Sequence, residues 1–285
     1  MKRNHKRTRL LGVWKRFSRS KTAMLGLAVL CIFILLAIFA PLIAPYGYDE
    51  QNLREAYQGI NMRHLLGTDN LGRDTLSRLI WGSRISLVVG LLAVAIGATV
   101  GGLIGSFAAF YGGRIDSVLM RVVDIMMAIP SMVLAIAICA VLGPGLVNTM
   151  IAVGFSSVPT YARVVRSAVL TIRQQEYIEA AGAIGSGNWR TIAKHIIPNS
   201  LAPIIVQASL GVGNAIQSAA SMSFLGLGIQ PPTPEWGAML STGRQFIRDY
   251  PMMVVAPGIC IMLVISSLNL LGDGLRDALD PRMKR

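Results

Sequence analysis

The chain has 285 residues, of which 53% are hydrophobic and 14% charged, and a formal charge of +13. A soluble domain carries about 25% charged residues, so this composition excludes an ordinary soluble protein and points to a polytopic membrane protein. The positive charge does not indicate nucleic acid, because no basic face interleaved with aromatics accompanies it.

Nine of the 27 Lys and Arg fall within residues 1–21. Residues 1–22 therefore read as a basic tail, the positive-inside pattern, also suited to anionic lipid headgroups. The uncharged run 23–44 spans roughly 33 Å at about 1.5 Å per residue, enough to cross a bilayer. It is too long for a signal-peptide core, and no small-x-small cleavage site precedes Pro45, so an uncleaved first helix is expected. Residues 45–82 are polar and expected outside. There His64, Asp69 and Asp74 could suggest a metal site, but Arg73 and Arg78 compete for both carboxylates. The expected structure is a capped loop entering a helix, with Asp74 in its first turn.

The core of the membrane domain is expected over 83–275. Its second span runs from Ser83 to Phe110, with Gly97, Gly101 and Gly105 on one face, a spacing that lets helices pack closely in lipid. The third span, Ser117 to Leu142, carries Arg121 and Asp124 in its first turns and ends at a Gly143-Pro144-Gly145 hairpin. The fourth, Leu146 to Leu170, contains Pro159, an expected kink, and Arg163, Arg166 and Arg173 mark its inner end.

Residues 174–199 follow, polar and glycine-punctuated between apolar runs. Glu176 to Ile184 reads as a helix, and Gly185-Ser186-Gly187 breaks it, because glycine supplies left-handed backbone angles. Ser186 can cap a second helix, Asn188 to Ile196, which Pro198 is expected to stop. Such a helix pair either lies on the membrane surface or docks into another protein.

The fifth span, Ser200 to Ile229, contains Gln207, Asn214 and Gln217. Polar groups in lipid are costly unless paired or facing a wet path; a translocation path and interhelical hydrogen bonding are equal readings here. Gln230 to Tyr250 forms a second outer segment, with Thr233 as N-cap, Pro234 at N1, Glu235 in the first turn, and Trp236 and Phe246 at interfacial depth. The sixth span starts at Met252, and a basic tail, 276–285, closes the chain. The resulting fold class is all-α, with six transmembrane helices and both termini inside. In that topology 20 Lys and Arg lie inside and 7 outside, the expected bias.

Glu179-Ala180-Ala181, Gly185 and Pro198 resemble the EAA loop of ABC-importer permeases. That pattern is Glu-Ala-Ala, three residues, Gly, nine residues, then Ile-x-Leu-Pro; His195 stands for its Ile and Ile197 for its Leu. His64-Leu-Leu-Gly-Thr-Asp69, Gly72-Arg73-Asp74 and Pro231-Pro-Thr-Pro-Glu-Trp-Gly237 resemble the dipeptide, oligopeptide and nickel branch, as does the ending Gly272-Asp-Gly-Leu-Arg-Asp-Ala-Leu-Asp-Pro281. The resemblance implies a type I ABC-importer fold in a bacterial inner membrane. It implies that Glu179, Ala180, Ala181, Gly185, Ile197 and Pro198 couple to a separate ATPase. It also implies a second homologous permease subunit, two ATPase subunits that bind the ATP, and an extracytoplasmic solute-binding protein. The cargo it implies is di- or oligopeptide, with nickel or glutathione-like solutes as alternatives.

The chain itself contains no Gly-x-x-x-x-Gly-Lys-Ser/Thr phosphate cradle. No span carries a charge near its centre, as ion-driven carriers usually require. Cys31, Cys139 and Cys260 fall in apolar runs without metal spacing. His5, His64 and His195 belong to no catalytic constellation, so neither an enzyme nor a resident cofactor is expected.

Overall fold

The computed structural model describes residues 12–183 and 185–279, apart from the side chains of residues 179, 181, 182, 188, 189 and 193. Among the described residues the chain is helical, with one isolated bridge between Thr68 and Asp74. Helix α1, Lys21–Ile38, starts at Ser20, whose hydroxyl accepts the Ala23 amide N–H. Helix α2, Thr75–Tyr111, has 37 residues and begins before the expected Ser83. Asp74 is its N-cap rather than a first-turn residue. Its Oδ2 accepts the Ser77 amide N–H and the Ser77 hydroxyl, each at 2.7 Å.

The single third span expected over 117–142 is instead two helices, α3 (Gly113–Ala128) and α4 (Ser131–Leu142), meeting at 90°. Pro130 has no N–H to continue the ladder, and it holds Ile129 extended at φ −95° and ψ 127°. Helix α5 covers Leu146–Arg173 and passes through Pro159. Helices α6 (Glu176–Ala183) and α7 (Asn188–Thr191) form the polar loop, and Gly185 between them has φ +80°. The expected stop at Pro198 does not occur. A π turn, Ile192–Ile196, leads without a break into α8, Ile197–Phe224. Pro198 lies in the first turn of α8, directly after the π turn. Helix α9 is Trp236–Gly243 and α10 is Met252–Leu279.

Four stretches are long and apolar enough to cross a membrane, namely α1, α2, 194–224 and α10, and α3 with α4 adds a fifth if the bent pair is one span. Helix α5, the other span of the six expected, has 28 residues but falls short in apolar character. It is shielded instead, packed between α2, α4 and α8.

The closest packing joins α2 to α5. A methyl at Gly101 or Gly105 would overlap the carbonyl oxygens of Val158 and Ala162, and one at Gly97 the Ser157 hydroxyl. Gly154 on α5 reciprocates, with the Ala93 carbonyl 2.9 Å from where its Cβ would stand. The glycine face is thus an intramolecular seam, where side-chain-free backbones approach.

One end of the bundle is capped by 44–74 and 226–251. Asp69 accepts the Arg73 Nε–H at 2.7 Å, and His64 Nδ1 lies 2.9 Å from Asp74 Oδ1, all four residues being buried. His64 and Asp74 are thus engaged with each other, and Asp69 with arginine. Arg78 donates to the carbonyls of Tyr48 at 2.9 Å and Pro232 at 3.4 Å, tying the two cap segments together. The N-cap of α9 is Glu235, not Thr233. Its two oxygens accept the Gly237 and Ala238 amides at 2.9 and 2.8 Å. Burial pushes the Glu235 carboxyl above its ordinary range, against the opposing pull of those amides and the Ser223 hydroxyl. Trp236 is fully buried, its indole N–H donating to the Leu79 carbonyl at 3.1 Å. Glu235 turns the helix start inward, so the next side chain enters the core.

Gly101→Val is expected to cost about 1–3 kcal/mol through overpacking and to lower the melting temperature in detergent. Gly102→Ala is the control, since its Cβ would meet only Val165 Cγ2 at 4.0 Å. Equal melting of the two variants would show that the seam does not hold the bundle.

Candidate functional site

With α5 fixed on α2, its opposite face turns toward α8. Three cavities follow one another along these helices. The middle one, about 310 Å³, is lined by Ser156, Ser157, Thr160 and Tyr161 of α5, Ser131 at the start of α4, and Gln207, Asn214, Gln217 and Ser218 of α8. Toward the polar loop lies a cavity of about 570 Å³, lined by Arg163, Ser167, Thr171, Asn199 and Pro203. Toward the cap lies a more apolar one of about 340 Å³, with Gln217, Ser221, Phe224, Leu225, Met132 and Ile261. Among the lining residues on α8, 199, 203, 207, 211, 214, 217 or 218, and 221 step by three or four, which is one continuous helix face.

Gln207, Asn214 and Gln217 are thus brought to one groove. Asn214 and Gln217 are exposed, and no hydrogen bond from any of the three side chains forms among the described residues. The middle cavity is lined by uncharged polar groups. Tyr161, 2% exposed, has its hydroxyl against Gly211 and without a hydrogen-bond partner. The serines and threonines of α5 were missed in the sequence, although Ser156, Thr160, Ser167 and Thr171 fall near helical spacing.

The lower wall is braced by ion pairs. Arg166 forks onto Asp116 with both bonds at 2.6 Å, and Arg163 pairs with Asp124 at 2.6 Å, linking α5 to α3. The Arg163 pair is half-exposed, so its energetic worth is below about 1 kcal/mol.

The helix pair has its own apolar anchor. Ile178 of α6 and Ile192 and Ile196 of the π turn pack on Ala109 of α2 and Val165 and Val169 of α5. Arg173 donates to the Ala109 carbonyl at 3.1 Å. Ile197 is partly buried against this cluster. Ala180, Gly185 and Pro198 face solvent, while the side chains of Glu179 and Ala181 lie outside the described residues. A methyl on Gly185 would meet nothing within 4 Å, so its requirement is the backbone angle, not space.

Residues 101–285 match the family described as the binding-protein-dependent transport system inner membrane component, and residues 8–59 match the N-terminal TM domain of oligopeptide transport permease C. The chain is 51% identical over 271 residues to the dipeptide transport system permease protein DppC of Alkalihalophilus pseudofirmus, covering 95% of this chain and 89% of that one. It is 44% identical over 275 residues to the glutathione transport system permease protein GsiD of Escherichia coli, covering 95% and 90%. A chain of the inward-facing MetNI methionine ABC transporter shares the fold, with TM-score 0.59 and 18% identity over 71% of this chain and 97% of that one.

A wet groove has a direct signature. With Cys31, Cys139 and Cys260 replaced by Ala, Asn214→Cys and Ser218→Cys are expected to react with a small water-soluble thiol reagent. Ile216→Cys, at a position 1% exposed, is expected to react at least tenfold more slowly, because thiol reactivity follows access and thiolate fraction. Equal rates would mean that the α8 face is not a water path.

Proposed function

The chain belongs to the family of binding-protein-dependent transport system inner-membrane components, and on that premise we propose that it is the permease subunit of an ATP-driven importer of di- or oligopeptides. It sits in the bacterial inner membrane with both termini and the helix pair 174–199 in the cytoplasm, and the cap end faces out. The 20-to-7 division of Lys and Arg supports that orientation. A second, homologous permease completes the path, two ATPase subunits bind beneath, and a solute-binding protein delivers cargo at the cap. Glutathione, itself a tripeptide, fits the same frame, and the relative named for it supports keeping it as the second cargo.

The observation that carries this reading is the continuity of groove and helix pair. The α8 face bearing Gln207, Asn214 and Gln217 extends without a loop into the π turn and α7. Movement of a docked ATPase therefore reaches the path through rigid helix. The groove supplies uncharged hydrogen-bonding partners that suit peptide amides, and a peptide passing through replaces bonds it loses to water. On this chain Glu179, Ala180, Ala181, Gly185, Ile197 and Pro198 form the coupling element.

Two tests follow from this assignment. In intact cells an impermeant maleimide is expected to label Asn61→Cys, whereas Ser186→Cys reacts only after permeabilisation; labelling of Ser186→Cys in intact cells would invert the topology. Gly185→Val forces a β-branched residue to φ +80°, a strain of about 1–2 kcal/mol. Copurified ATPase per permease should fall about five- to thirtyfold while membrane insertion persists. Glu179→Ala should be milder, lowering transport more than assembly. Normal ATPase binding by Gly185→Val, with hydrolysis still stimulated by cargo, would remove the coupling role from this loop.

A further inference from the structure

The α5–α8 groove leaves a separate cavity of about 310 Å³ at the cap end unexplained. It lies between the first cap segment, through Asn70, and the second, through Gln230 and Arg244–Phe246. Much of its polar lining is used within the fold. The Ser223 hydroxyl accepts the Ile229 amide N–H at 3.0 Å, and the Ser241 hydroxyl donates to the Phe224 carbonyl at 3.0 Å. The Thr242 hydroxyl donates to the Ala238 carbonyl at 3.1 Å, and the Gln230 amide to the Gly226 carbonyl at 3.0 Å.

Three groups are left over. The Asn70 amide oxygen is buried with no hydrogen-bond partner. The side chains of Gln245 and Arg244 make no hydrogen bond or ion pair among the described residues. The Arg244 guanidinium carbon stands instead over the Phe224 ring, 5.1 Å from its centroid. No Asp or Glu lines the cavity. A guanidinium with two free amides is a donor set for a carboxylate, since a carboxamide can turn its NH2 inward. The volume is at the lower end of small-molecule sites.

We propose that this cavity receives the C-terminal carboxylate of the cargo peptide, with Arg244 as its cation and the Asn70 and Gln245 amides as its neutral partners. The inference rests on the peptide reading of the cargo given above. An α-carboxyl group has a pKa of about 3.5 and is ionised at neutral pH. Every peptide with a free C-terminus carries it, whatever its side chains, so the site binds the constant part of a variable cargo. Phe224 lines the neighbouring cavity, which shares Gln217 with the groove. A carboxylate on Arg244 competes for the guanidinium now placed on that ring, so arrival of cargo loosens the boundary between the two cavities.

The test uses the complete complex, with its partner permease and ATPases, in nanodiscs for binding and, with the solute-binding protein added, in vesicles for uptake, and dialanine labelled with 13C at the carboxylate. Wild type is expected to shift the carboxylate resonance on binding. Arg244→Gln should weaken that binding about tenfold or more, as loss of a charge-assisted bond does, and Arg244→Lys should restore much of it. Dialanine amide should bind wild type and Arg244→Gln alike. Uptake of dialanine into vesicles by Arg244→Gln should fall in parallel. Unchanged dialanine binding and uptake in Arg244→Gln would overturn the site while leaving the peptide importer standing. A loss confined to the binding protein's hold on the complex would assign Arg244 to that partner and also overturn it. A wild-type complex that retains its ATPases but, with its binding protein present, takes up neither dialanine nor longer peptides would remove the peptide reading, and this inference with it.

Discussion

The close approach of α2 and α5 sets the position of nearly everything else. In lipid no hydrophobic effect drives two helices together, so contact relies on packing and on interhelical polar contacts. Gly97, Gly101 and Gly105 remove the side chains from one face, and Val158 and Ala162 present backbone carbonyls to the gap. Tyr161 lies between Gly101 of α2 and Gly211 of α8, so one ring spaces three helices. This arrangement lets α5 be polar. Ser156, Ser157, Thr160, Ser167 and Thr171, which weaken its apolar character, line the groove, while Arg163 and Arg166 meet carboxylates on α3 and Arg173 the Ala109 carbonyl. Without the seam the same helix would offer hydroxyls and charges to hydrocarbon at a cost of several kcal/mol.

The cap follows a different logic. Asp69, Arg73, Asp74 and Arg78 are each buried by more than nine-tenths. Removing such charges from water is costly, and the partners must be well placed to offset it. Here the placement joins segments far apart in sequence. Arg78 reaches Pro232, 154 residues away, and Trp236 reaches Leu79, 157 residues away. The motifs around His64–Asp74 and Pro231–Gly237 are therefore two halves of one structure. Their buried charged residues hold backbone carbonyls, amides and one another.

Much of this was legible in the sequence and some was not, for identifiable reasons. Periodic glycines on α2, the left-handed Gly185 and the apolar runs are local signals, and local signals are what a sequence reading detects. The break at Pro130 was missed because apolar composition continues across it, and hydropathy carries no direction. Pro198 was read as a stop because proline usually ends a helix, but it falls directly after a π turn, and the helix runs on through it. Thr233 was chosen as a cap on residue type, whereas Glu235 wins by reaching two amides at once. The ion pairs Arg163–Asp124 and Arg166–Asp116 join residues 39 and 50 positions apart, and no local pattern announces them. The groove was half legible: the amides of α8 stood out, whereas hydroxyls on α5 blended into its ordinary composition.

The π turn between α7 and α8 separates chain length from helical phase. In it the Ile197 amide N–H reaches back to the Ile192 carbonyl, one residue further than an α-helical bond. The extra residue is taken up locally, so the angular setting of α8 relative to α7 is not advanced by the roughly 100° that each α-helical residue contributes. Insertions or deletions have unequal effects along this stretch. Inside the turn, one residue fewer relaxes it to ordinary helix and leaves Asn214 and Gln217 aimed as before. Anywhere in α8 before Asn214, the same deletion would rotate both amides off the groove and carry a neighbouring apolar residue into their place.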